Sequence, residues 1–163
     1  MNKIKVINDI GDLVTVFTIS NTDQKKKILS LLNEKWIMEE DLKAEFGEEG
    51  VKFLKYLEKI KFIESQWTNT PKGPKKIYHN YYDSIQIDVI LPTSETGEVL
   101  YVASMSDEEV DNYSAKIEEL LNSGIQYVGE IQTKLGVSLT FLRGIIKRSK
   151  NLVLKGMKVE RLQ

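Results

Sequence analysis

Residues 36–68 read WIMEEDLKAEFGEEGVKFLKYLEKIKFIESQWT, and residues 127–162 read YVGEIQTKLGVSLTFLRGIIKRSKNLVLKGMKVERL. Both follow one order: a short helix-forming stretch, a break containing glycine (Gly47, Gly136), a second amphipathic stretch, and then alternating strand-like residues. A helix-turn-helix followed by a β-wing is built in that order. The expected fold is therefore mainly α with small β-wings (α+β): two winged helix-turn-helix modules joined by a β-hairpin and a helix. The expected division is a winged helix over 1–82, a connecting β-hairpin over 83–105, and a second winged-helix-like module over 106–163.

In the first motif, 38–46 forms the leading helix, with Glu39, Glu40 and Asp41 favoured at its positive end. After the turn at Gly47, residues 48–60 form the candidate recognition helix. Val51, Leu54, Leu57 and Ile60 fall on an inward face, while Lys52, Lys55 and Lys59 share the opposite one. A wing follows: strand 62–68, a loop over 69–75 stiffened by Pro71 and Pro74, and return strand 76–80, with Lys72, Lys75 and Lys76 placed to meet phosphates.

The flanking segments read as helices over 8–17, where Ile7, Ile10, Val14 and Phe17 recur at helical spacing, and over 22–33. Residues 84–91 and 98–104 alternate as strands about a turn-rich 92–97, the expected hairpin. Ser106 and Glu109 form a capping box for a helix to about residue 122. In the second motif Ser138 caps a helix whose Leu139, Leu142, Ile145 and Ile146 are core. Thr140, Arg143 and Lys147 would share its exposed face, with Arg148 beside them and Lys155 and Lys158 on a second wing.

Net charge over the 163 residues is −1, but its distribution is uneven. Lys52, Lys55, Lys59, Lys61, Lys72, Lys75 and Lys76 are opposed within 50–80 only by Glu58 and Glu64, and Glu160 is the one acid within 131–163. Contact with DNA needs positive charge on a face, not over the whole molecule. An acidic middle, 84–130, has Lys116 as its one basic residue.

Other classes of function find little support. There is no cysteine, so no thiolate site or disulfide is available, and the one histidine, His79, falls in a strand. No paired nucleophile and base, phosphate-cradling glycine loop or metal-ligand spacing occurs, which argues against an enzyme and against a cofactor. Asp9 and Asp12 interrupt the only apolar run near the N-terminus, and no stretch approaches the roughly 18 apolar residues that span a bilayer. A cytoplasmic protein is expected.

Residues 20–80 resemble winged-helix regulators of the arsenic-repressor (ArsR) family, chiefly in KFLKYLEKIKFIESQW at 52–67. With DLVTVF at 12–17 and ASMSDEE at 103–109, the whole chain resembles archaeal ArsR-like regulators of similar length. The resemblance implies a homodimeric repressor or activator that binds double-stranded DNA. It does not carry over the metal sensor, because the family's thiolate ligands would lie on the helix over 38–46. Any small-molecule effector is left open. The resemblance favours the first motif as DNA reader. Local chemistry favours the second, where Ser138, Thr140 and Arg143 replace the Glu48-Glu49 of the first, and an arginine can pair with guanine. Gly144 would allow close backbone approach. The first helix and the hairpin offer apolar faces for a dimer. The competing expectation is a non-catalytic tandem winged-helix scaffold that binds protein.

Overall fold

Residues 2–163 are described by the computed structural model, as a mixture of helices and small sheets of the winged helix-turn-helix kind. In chain order the elements begin β1 (Ile4–Ile7), α1 (Ile10–Thr18), α2 (Asp23–Glu34), β2 (Ile37–Met38), α3 (Glu39–Lys59), β3 (Ile63–Thr70), β4 (Gly73–Asn80) and β5 (Ser84–Ile87). A 3₁₀ turn at Thr93–Glu95 then leads into α4 (Thr96–Ser104), α5 (Asp107–Asn122), α6 (Val128–Leu135), α7 (Leu139–Arg148), β6 (Leu152–Lys155) and β7 (Lys158–Arg161). Two units result: one holds residues up to 6 together with 19–86, the other 7–18 together with 87–163.

In the first unit, Thr22 caps α2 by accepting from the Lys25 amide. Ile28 and Leu32 of α2, Leu42, Leu54 and Leu57 of α3, Ile37 and Tyr78 form a buried core. Within α3, Gly47 takes φ 70° and ψ −164°, a conformation that separates 39–46 from 48–59 as two helices. The expected helix-turn-helix break therefore lies at Gly47. Phe53, not Val51, joins Leu54 and Leu57 in the core, and Val51 is half-buried. Strand order is β2-β4-β3, with Ile37 opposite Tyr78 and Ser65 opposite Tyr78 across β4's other edge. The wing is longer than its sequence suggests. Thr70 pairs with Gly73, so the expected loop over 69–75 shrinks to a tight turn at Pro71-Lys72, where the Thr70 hydroxyl donates to the Gly73 carbonyl.

In the second unit, Ser106 and Glu109 make both halves of the capping box. Ser138 accepts from the Phe141 amide at the start of α7, and β6 pairs antiparallel with β7. Tyr127 bridges to Lys158, as Met38 and Ile37 pair with β4 in the first unit. The first unit thus runs helix, short strand, helix, helix, ribbon, and in the second the single bridging residue Tyr127 stands where that strand would be.

Two expectations fail. Residues 84–91 and 98–104 do not form a hairpin: β5 pairs with β1, and 98–104 belongs to helix α4. The Asp83 and Asp88 amides donate to the Lys3 and Ile7 carbonyls, advancing together along β1 and β5, the parallel sense. The segment EVLYVAS supports either period: Val99, Tyr101 and Ala103 alternate, while Val99, Val102 and Ala103 recur at helical spacing. The helical set wins because those three side chains are buried, in a core shared with α1 and α7. Second, α1 is not a spare apolar face within an N-terminal module over 1–82. Leu13, Val14 and Val16 are buried, and α1 packs on α4 and α7.

Candidate nucleic-acid interface

The outward face of 48–59 carries Lys52, Lys55 and Lys59, all exposed, as i, i+3 and i+7 spacing dictates. Tyr56, 39% exposed, extends that face. Most lysines of the first motif are held by carboxylates of the same unit. Lys52 reaches Glu49 at 3.1 Å, Lys43 reaches Glu48 at 2.7 Å, and Lys55 reaches Glu39 at 2.7 Å. Lys75 pairs with Glu40, and Lys76 with Glu58. Lys59 and Lys72 are exposed without an ion pair among the described residues.

The titrations follow from this pairing. The hydrogen bond from Lys75 holds Glu40 below the usual carboxylate range, and that from Lys43 does the same for Glu48. Partial burial pushes Glu58 upward. Hydrogen bonds from Lys76 and Ser65, with the charges of Lys76 and Lys55, outweigh it and leave the carboxyl lowered. Lys55 is raised by its hydrogen bonds to Glu39 and then to the Tyr78 hydroxyl. The carboxyls of Glu40, Glu48 and Glu58 and the ammonium of Lys55 are thus held in their charged forms. Solvent-exposed pairs of this kind contribute little to stability, so phosphate can replace the carboxylates at little cost.

The second motif is built differently. Thr140, expected on the exposed face, is 2% exposed and donates to a Glu95 carboxylate oxygen at 2.9 Å. Arg148 is also withdrawn. Only 6% of its side chain is exposed, and it donates to the Val102 and Met105 carbonyls and to Asp107. Arg143 is half-buried, with its Nε buried and unpartnered. Lys147 is exposed but pairs with Asp12 of α1 at 3.2 Å. Ser138 donates to Glu98, so the positive N-terminal end of α7 already faces two carboxylates, Glu95 and Glu98. The close approach at Gly144 is to protein: a Cβ there would sit 2.8 Å from Val102 Cγ1. The physical reason for all of these is that α1 and α4 pack on α7, covering the face that sequence spacing left for solvent. On the second wing Lys155 pairs with Glu160 at 2.7 Å, and the Lys158 ammonium lies over the Tyr127 ring at 5.2 Å.

Residues 7–163 match the family model described as ArsR transcriptional regulator. The chain belongs to the ArsR family. No curated protein matches it in sequence. ArsR-family proteins are non-catalytic DNA-binding regulators, and this member is a winged helix-turn-helix regulator without the thiolates of a metal sensor. Among its described residues there is no group of three or more His, Cys, Asp or Glu side chains able to hold a metal ion, and no helix long and apolar enough to cross a membrane.

Sequence reasoning did not anticipate two features of the first unit. Trp67 is 71% exposed on β3 opposite Lys76, and Trp36 stacks on His79 at 5.2 Å. The second feature is the hydrogen bond from Lys55 to the Tyr78 hydroxyl, which joins residues 23 positions apart and leaves no local trace in the sequence.

Proposed function

We propose that this ArsR-family regulator reads duplex DNA with its first unit. Residues 48–59 enter the major groove, where Lys52, Lys55 and Lys59 face the duplex, and Lys72, Lys75 and Lys76 hold phosphates from the wing. The observation that carries this reading is a contrast in exposure: Lys52 and Lys59 project into solvent, whereas Thr140 and Arg148 of α7 are committed to partners in the protein. The two units are two winged-helix modules, of which the second serves chiefly as support. Its wing lysines, Lys155 and Lys158, add charge of no sequence preference.

The regulator works as a homodimer on two half-sites about one helical turn apart, in the cytoplasm, and responds to a signal other than a thiolate-bound metal. The segments at 12–17 and 103–109 support a place among archaeal members. A salt titration on random-sequence duplex DNA tests the assignment. Lys52→Ala/Lys59→Ala should weaken binding about tenfold or more and flatten the salt dependence, since each lost phosphate contact removes about 0.9 from the slope. Lys147→Ala/Lys150→Ala should change both far less. The reverse order would move the contact to the second unit.

A second reading, protein docking, is favoured for the second unit by Leu100 and Tyr101 of α4, which are 57% and 54% exposed. Association through that face would be nearly insensitive to salt, unlike binding to DNA.

A further inference from the structure

Tyr78 is the largest fully buried side chain of the first unit, at 0% exposure in the central strand β4. An aromatic ring in a small core needs no explanation beyond packing. What Tyr78 adds is two cations from two different elements. Its hydroxyl accepts from the Lys55 ammonium of α3 at 3.1 Å, and the same ammonium lies 5.5 Å from the ring centroid. The Lys76 ammonium, from β4 two residues before Tyr78, lies 5.3 Å from that centroid.

Two like charges around one ring repel each other unless anions sit nearby. Here Glu39 takes Lys55 at 2.7 Å and Glu58 takes Lys76. Glu39 is exposed to 40% and Lys55 to 49% of their side chains, so solvent and ligands reach the Lys55 end. The Lys76 end is more enclosed, with 33% of its side chain exposed. The ring's negative face and the hydroxyl lone pair fix where both ammonium groups can rest, so neither lysine pays its full ordering cost on binding an anion.

We propose that Tyr78 is a positioning residue for DNA binding, holding Lys55 of the reading helix and Lys76 of the wing as a clamp for one backbone phosphate. This rests on the assignment of DNA contact to the first unit. The phosphate, which carries one negative charge, takes the place of the two carboxylates of Glu39 and Glu58 as the shared partner of the two cations. The clamp would tie the angle between helix and wing to the path of the DNA backbone. No covalent step is involved.

The test is a set of salt titrations on one duplex, using the full chain and the variants Lys55→Met, Lys76→Met, Tyr78→Phe and Lys55→Met/Tyr78→Phe. Lys55→Met and Lys76→Met should each weaken binding about tenfold, and because either remaining lysine still neutralises the shared phosphate, the salt slope should fall by about 0.9 only when both are replaced. Tyr78→Phe keeps the ring and removes the hydroxyl acceptor, and should weaken binding about fivefold. In the Lys55→Met background, Tyr78→Phe should add nothing, because the hydroxyl acts through Lys55.

If Lys55→Met weakens binding and Tyr78→Phe does not, or if their effects multiply, the positioning role is overturned while the first-unit reading stands. If neither lysine variant changes the binding of a protein that still binds DNA, the first-unit reading itself fails. Should Tyr78→Phe not fold, the pair Lys55→Met/Lys76→Met decides. A shared phosphate requires the double variant to be weaker by less than the product of the single effects, and simple multiplication overturns the clamp.

Discussion

Residues 48–59 of α3 and helix α7 hold the same position in the same local order, yet they have opposite surroundings. The first buries Phe53, Leu54 and Leu57 on one side and leaves Lys52, Lys55, Tyr56 and Lys59 outward. The second is buried at Thr140, Phe141, Leu142, Gly144, Ile145 and Ile146, which cover more than one face of a helix. A second helix of a helix-turn-helix is free to read DNA only if nothing else in the chain packs on its outer face. In the first unit Lys52, Lys55, Tyr56 and Lys59 of that face are exposed. In the second, α1 and α4 occupy that place, and Glu95 and Glu98 stand at the helix end where a DNA phosphate would otherwise be welcome.

The contrast breaks most readily at Arg148. Its guanidinium satisfies two carbonyls near the end of α4, so Arg148→Ala leaves them without that donor and should cost about 2–4 kcal/mol in urea unfolding. Were Arg148 instead a DNA contact, stability would hold and affinity would fall. Gly144→Ala should come next, at about 1–3 kcal/mol. The added methyl meets fully buried Val102, whose branched side chain cannot move aside without shifting α4, and the gain in helix propensity offsets only part of this. A thermal melt raised by Gly144→Ala would mean that α4 and α7 are not held together as described.

Acid should act on the first unit through Glu58. Its folded pKa is depressed, so the stabilisation is fully present above the unfolded value of about 4.3 and is lost as pH falls through the lower folded value. The amount is about 0.5–1 kcal/mol, typical of a partly exposed pair. Trp67 lies opposite Lys76, so its fluorescence should change as pH falls below the usual carboxylate range in the wild type and lose that step in Glu58→Gln. An identical acid response in both would show that Glu58 does not join helix to wing.

The smallest effect is expected at Lys61, which follows the Ile60 C-cap of α3 with φ at 59°. A non-glycine residue there is strained, and Lys61→Gly should stabilise the protein by about 0.5–1 kcal/mol after the entropy of the unfolded chain is counted. A gain in stability with weaker DNA binding would identify the strain as the cost of keeping a charge at the junction of helix and wing. A loss of stability would show that the left-handed turn is not where the strain lies.

Much of this was legible from residues a few positions apart. Gly47 and Gly136 as breaks, the Ser106–Glu109 box, Ser138 as a cap, and the common face of Lys52, Lys55 and Lys59 are all matters of i to i+7 geometry, which one segment contains whole. The family resemblance over 52–67 belongs with them, since it rests on contiguous residues. The same local signals misassigned Thr140 and Arg148, because helical spacing says which side chains share a face and not what covers it. They also misassigned 98–104, whose apolar residues satisfy both a period of two and a helical period. Burial settled each case: α4 became a helix when Val99, Val102 and Ala103 found a core formed with α1 and α7, and α7 lost its open face in the same packing. Sequence alone determined that the chain carries two copies of one helix–glycine–helix grammar, no thiolate site, and cations on one helix face. Tertiary structure alone decided which grammar remains open to solvent, because burial is a property of segments distant in the chain and is not encoded in any one of them.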